Sequence, residues 1–117
     1  IKYGYSLVGQ VEQARHKLHG KYVHLLHPHQ DACIVPESAL SIIPHVIPPR
    51  RAVLASNVET AINAIWDSGL SIGDRILVVG FGNIGALVAL IARQIVGVEV
   101  VVIGVGVGAV AVMVVVV

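Results

Sequence analysis

The stretch RILVVGFGNIGALVALIARQIVGVEVVVIGVGVG, residues 75–108, decides the fold. Its first five residues, Arg75–Val79, are apolar after the arginine and rich in β-branched side chains. Such a run reads as a strand covered on both faces, as in a parallel sheet with helices on both sides. Gly80-Phe81-Gly82-Asn83-Ile84-Gly85 follows directly. It opens a helix predicted over residues 83–96, apolar on nearly every side, buried, and ended by Gly97. A second strand is predicted over residues 98–103. Strand, helix and strand at this spacing make a βαβ unit with a right-handed crossover.

A G-x-G-x-x-G run is a weak signal by itself, because small residues recur in turns. Here it follows a predicted strand and starts a helix, which is the context that gives it meaning. Gly80 permits the tight turn. Gly82 leaves room for a pyrophosphate to approach the backbone, and Gly85 lets helix and strand pack closely. The amides of Asn83 and Ile84 face such a phosphate, assisted by the helix dipole. Phe81 is expected to pack over or beside the loop. The competing reading is a tight strand–helix turn that binds nothing.

Composition narrows the classes. Of 117 residues, 56% are hydrophobic and 13% charged, the latter about half the usual share. The net charge is +1, and no basic cluster occurs beyond Arg50-Arg51, so nucleic acid is not an expected partner. Cys33 is the single cysteine, which rules out an intrachain disulfide and a cysteine-based zinc site. The N-terminus lacks a signal-peptide pattern and an initiating Met, and reads as the cut end of a fragment. From Val100 onward there is no charge. That run has membrane-spanning length. It lacks leucine, an aromatic belt and flanking basic residues, so it reads as a strand followed by a low-complexity tail of doubtful letters, not a membrane helix.

Upstream, strands are predicted over residues 5–13, 21–26 and 32–35, separated by the polar connection 14–20 and punctuated by Pro28 and Pro36. Residues 41–49, SIIPHVIPP, are too proline-rich for a regular element. Pro49 suits the first turn of a short helix over residues 50–55. Ser56-Asn57-Val58-Glu59 has the form of a capping box, with Ser56 and Glu59 each accepting from the other's amide. Val58, Ala61, Ile62, Ile65 and Trp66 then recur at helical spacing, and Gly69 is a natural stop.

Three further stretches extend the pattern. ETAINAIWDSGLSIGDRILVVGFGNIGALVALIA, residues 59–92, resembles the cofactor-domain start of the medium-chain dehydrogenase/reductase superfamily, the alcohol-dehydrogenase-like enzymes. KYGYSLVGQVE, HGKYVHLLHPHQDACIVP and IIPHVIPPRRAVL are similar to the last part of that family's GroES-like catalytic domain. The resemblance covers residues 2 to about 103, and members of the family are much longer. It implies an α/β chain with two parts. Residues 1–48 are the C-terminal part of a β-rich GroES-like domain, and residues 49–117 are a partial Rossmann domain with a doubly wound parallel sheet. It implies that Gly80, Phe81, Gly82, Asn83, Ile84 and Gly85 line a pyrophosphate, and that Thr60 lies near the nicotinamide end. The most similar subgroup is called zinc-type.

The departures from that family matter. Zinc members carry Gly-His-Glu where this chain has Gly4-Tyr5-Ser6. A further ligand position falls on Ser56, a poor ligand. The resemblance therefore leaves the metal in doubt, and no metal ligand is assigned. A ribose-binding acid is expected about 20 residues past the glycines. That place is Gly104, and Glu99 stands at the wrong end of the strand. NAD and NADP both stay open.

Other residues have bland readings beside sharper ones. His27 and His29 flank Pro28 and could bind a metal or relay a proton, but a hydrogen-bonded strand end is favoured. His16, His19, His24 and His45 read as surface or loop residues. Glu59 is explained by capping before catalysis. Cys33 reads as a buried, inert thiol. Trp66 reads as helix core, and Arg50-Arg51 as a solvated helix start.

The expected function is hydride transfer between NAD or NADP and an alcohol/carbonyl substrate. The protein is expected in the cytoplasm, away from membranes, with a homo-oligomer admitted, and no catalytic residue is assigned. The alternative is a non-catalytic nucleotide-binding or subunit-contact protein that keeps the βαβ scaffold.

Overall fold

The computed structural model describes residues 2–13, 15–104 and 113–116. The chain is mixed α/β, with two small sheets and three α-helices among the described residues. It divides into two compact units, residues 1–56 and 57–117.

In the first unit, strands β1 (Leu7–Gln10), β2 (Tyr22–Leu25) and β3 (Ser41–Ile42) form an antiparallel sheet in that spatial order. Leu7 faces Leu25 and Gln10 faces Tyr22 across the first pair. The ladder runs on beyond the strands, because the His27 and His29 amides donate to the Tyr5 and Tyr3 carbonyls at 3.0 and 2.8 Å. The favoured reading of the HPH run as a hydrogen-bonded strand end matches this. Strand alternation buries Val23 and Leu25 on one face. His24 takes the other face, half-buried, with Val8 and Ser41 as its cross-strand partners.

Two expectations fail in this unit. Residues 32–35 are not a strand. Both edges of β2 are already taken, by β1 and by β3, so the ACIV run finds no partner there. Conversely, the proline-rich crossing does contribute a regular element, since Ser41 and Ile42 precede its first proline and pair with β2. Cys33 is consequently half-buried in irregular chain rather than sealed in a strand.

Helix α1 (Pro49–Ala52) starts on the proline predicted to open it. Helix α2 (Ala55–Ser68) follows. It begins early enough to place Ser56 inside the helix, so Ser56 is not its cap. Gly69, with φ +70°, ends α2 in a conformation that disfavours side chains. Trp66 is 74% exposed, not core. The apolar stripe that reaches the interior passes through Ala61 and Ile65 instead.

The second unit holds strands β4 (Arg75–Val79), β5 (Glu99–Ile103) and β6 (Met113–Val116), and helix α3 (Asn83–Ala92) between β4 and β5. The pair β4–β5 is parallel, in register from Arg75↔Glu99 to Val79↔Ile103. On the other edge of β4, β6 runs antiparallel. The sheet is therefore mixed, not wholly parallel as the doubly wound expectation required. The tail supplies this strand because β-branched runs suit a pleated sheet, and an unpaired edge of β4 offers it hydrogen bonds. The remainder of the expected low-complexity tail, residues 105–112 and Val117, lies outside the described residues.

The core of this unit joins Ile76 and Val78 of β4, Ala61 and Ile65 of α2, and Val88 and Ala92 of α3. Ile76, Val78 and Val88 are fully buried, each stabilising the fold by roughly 1.5–3 kcal/mol. Leu77 and Val79, on the opposite face of β4, are half-buried, so the two faces are unequally covered. Likewise α3 is not buried all round. Its Leu90 is 53% exposed, and the helix ends at Ala92, before the polar Arg93 and Gln94.

Candidate functional site

The turn from β4 into α3 is built from backbone. Gly80 has φ +102° and is buried, and its amide donates to the Ile103 carbonyl at 2.8 Å. The loop is thereby tied to the C-terminal end of β5. A left-handed residue at this point turns the chain sharply, which a side chain would oppose. Gly85, one turn into α3, is packed directly against the Gly80 carbonyl. A Cβ there would overlap that oxygen and lie 3.0 Å from the Gly80 carbonyl carbon.

Gly82 is different. It is the N-cap of α3 with extended backbone, and a Cβ built on it meets nothing within 4 Å. No side chain caps the helix. The first helical hydrogen bond runs from the Ala86 amide to the Gly82 carbonyl at 2.9 Å. The amides of Asn83, Ile84 and Gly85 precede it and have no acceptor within the helix. Together with the helix dipole they form a positive end at the mouth of the loop. Phe81 is 62% exposed beside it. Unpaired amides at a helix start are an arrangement that favours anions in general.

The remaining predicted positions fall elsewhere. Thr60 is exposed on α2, one helical turn after Ser56. Gly104 follows β5 next to the loop, is exposed, and has open space around it. Glu99 sits at the far end of β5, paired with Arg75 of β4 at 2.7 Å. No carboxylate therefore comes from β5 at the loop end. Glu59 is exposed on α2, and Arg50 and Arg51 are exposed on α1.

In the first unit, the positions that depart from the zinc pattern come together around one imidazole. The Nε2 of His24 lies 2.9 Å from Ser6 Oγ and 3.4 Å from Ser56 Oγ. Ser56 is 5% exposed. Tyr5, by contrast, is 57% exposed. Reading His24 as a surface or loop residue was thus incorrect. The strand predicted over residues 21–26 already contained it, and strict alternation along that strand puts it on the face opposite Val23 and Leu25. Its serine partners come from segments 18 and 32 residues away and carry no local signal.

The opposite face of the same sheet lines a groove of about 690 Å³, with Leu7, Val23, Leu25, Cys33 and Leu40 among its walls and His16 and Glu37 at it. Lys17 hydrogen-bonds Glu37 and holds its carboxyl below the usual range, with a smaller contribution from His16. Among the described residues, no group of three His, Cys, Asp or Glu side chains could hold a metal ion. No helix among them is long and apolar enough to cross a membrane.

No protein-family model matches the chain, and no curated protein does. Among solved structures, the chain is similar to the quinone oxidoreductase of Thermus thermophilus, solved also as its complex with NADPH. The likeness has 27% sequence identity and a TM-score of 0.65 over 85% of this chain. The chain spans 32% of that protein's length.

Proposed function

We propose that this chain is part of a nicotinamide-dependent oxidoreductase of the medium-chain dehydrogenase/reductase superfamily. In this reading it transfers hydride between NAD or NADP and an alcohol/carbonyl substrate. Residues 1–48 end a GroES-like catalytic domain, and residues 49–117 begin a Rossmann cofactor domain. The observation that carries the reading is the open, uncapped start of α3 at Gly82, held by the tight contact of Gly85 on Gly80. Likeness to a protein that forms a complex with NADPH supports the same cofactor class.

The amides of Gly82, Asn83, Ile84 and Gly85 hold the pyrophosphate, Phe81 borders it, and Thr60 serves the nicotinamide end. When bound, the nicotinamide supplies the hydride chemistry, while the chain binds and orients it. The absence of a β5 carboxylate near Gly104 admits a ribose 2′-phosphate, which an acid there would repel.

Titration with NADH and NADPH, followed by nicotinamide fluorescence, tests the proposal. At least one is expected to bind, and Gly82→Val to weaken that binding more than tenfold. If neither binds the full-length protein, the reading fails and the non-catalytic alternative gains.

A further inference from the structure

We propose that β6 occupies the edge of β4 in two registers one residue apart, because its valines offer the core the same side chains in either. The edge of the sheet that carries the glycine loop then has two settings.

Register in a sheet is fixed by what a slip would undo. A shift of one residue turns every side chain of a strand to the opposite face, so a strand with unlike faces is held in place. β2 is held in this way, since buried Val23 and Leu25 alternate with Tyr22 and His24. β5 is held at both ends. Its Glu99 is ion-paired with Arg75 at 2.7 Å, and its Ile103 carbonyl accepts from the Gly80 amide at 2.8 Å. β6 carries no such mark. It has no charged side chain and none that donates a hydrogen bond, and β4 is its only strand neighbour among the described residues. Val114 and Val116 pack against the core, opposite Val78 and Ile76. Val115, opposite Leu77, is 37% exposed. The next residue in the sequence, Val117, is valine again.

A slip of one residue brings Val115 opposite Val78 and Val117 opposite Ile76, and turns Val114 and Val116 outward. The core exchanges two valines for two valines, and Leu77 exchanges one exposed valine for another. Val114 replaces Met113 opposite Val79, the last residue of β4 before the Gly80 turn. The connection from β5, residues 104–112, gains Met113. A slip the other way is not equivalent, because it brings Met113 opposite Val78, on the core face. Two settings therefore share one core, and the difference between them falls at the end of β4 that leads into the loop.

Disulfide trapping in the full chain, with Cys33→Ser throughout and a mild oxidant, reads the register directly. Leu77→Cys with Val115→Cys reports the described register, and Leu77→Cys with Val116→Cys the slipped one. In a fixed register the second pair points to opposite faces of the sheet and cannot be bridged. Both pairs are expected to cross-link at initial rates within about fivefold of each other. Leu77→Cys with Val114→Cys, which needs the slip in the other direction, is expected to be slower than either. Lysine substitutions supply a second measurement. Val115→Lys is accommodated in the described register and Val116→Lys in the slipped one, so each should keep a urea midpoint near wild type. The two together put a charge on the core face in both registers, and the double variant should unfold at clearly lower urea. Cross-linking confined to the Val115 pair overturns the proposal, as does a Val116→Lys midpoint far below that of Val115→Lys. Equal rates for all three cysteine pairs, or a double lysine variant as stable as either single one, overturn it too, since β6 would then not be seated on β4 at all.

Discussion

The loop at Gly80–Gly85 and the cluster around His24 both gather polar groups, by opposite means. The loop presents backbone amides at the start of a helix and removes side chains to expose them. The cluster presents side chains from three separate segments, and the backbone only holds them in place. A backbone site is made by local conformation and fails when a Cβ is added. A side-chain site is made by strand register and fails when one hydroxyl or ring nitrogen is removed.

The two glycines of the loop separate folding from binding. Gly85→Ala forces a Cβ onto the Gly80 carbonyl, which is backbone and tied to β5. It is expected to cost about 3 kcal/mol, read as a lower midpoint in urea denaturation. Gly82→Val, in open space, should leave that midpoint nearly unchanged. It should still weaken NADPH or NADH binding more than tenfold, or about 1.4 kcal/mol. Equal stability losses at both positions would mean that the loop is packed alike throughout and that the contrast between them is wrong.

The cluster responds to finer changes. Ser56→Ala leaves a buried position without its hydroxyl, and about 1 kcal/mol of stability is expected to go with it. A variant as stable as wild type would show that the His24 contact holds nothing in place.

The smallest effect belongs to the exposed ion group on the first unit. Glu37 titrates below its ordinary value of 4.5 because Lys17 and His16 favour the charged form. Its contribution to stability is therefore present above 4.5 and lost as the pH falls through the lowered value. In Glu37→Gln, the acid limb of the stability–pH curve should flatten slightly, and added salt should erase the difference. A difference that persists in high salt would mark the pair as more than a surface contact.

Legibility in the sequence followed the same division. Arg75–Val79 was readable as a strand because five adjacent residues carry the signal, and α3 because its glycines and apolar residues are adjacent too. The ends were less readable. Ser56 has the letters of a cap yet lies inside α2, and Trp66 has helical spacing yet faces solvent. The two errors have different sources: a capping motif does not fix where a helix begins, and spacing defines a face of a helix without saying how far the core extends around it.

By itself, the sequence determined the strand–turn–helix–strand order, the glycine positions and the absence of an acid at Gly104. These depend on neighbours along the chain, where steric limits on φ and the missing Cβ act locally. Tertiary structure alone decided that β6 runs antiparallel to β4, that residues 32–35 are left without a strand partner, and that Ser6 and Ser56 meet at His24. Those outcomes depend on which edges are free and which faces pack, and such competition is settled only when distant segments are brought together.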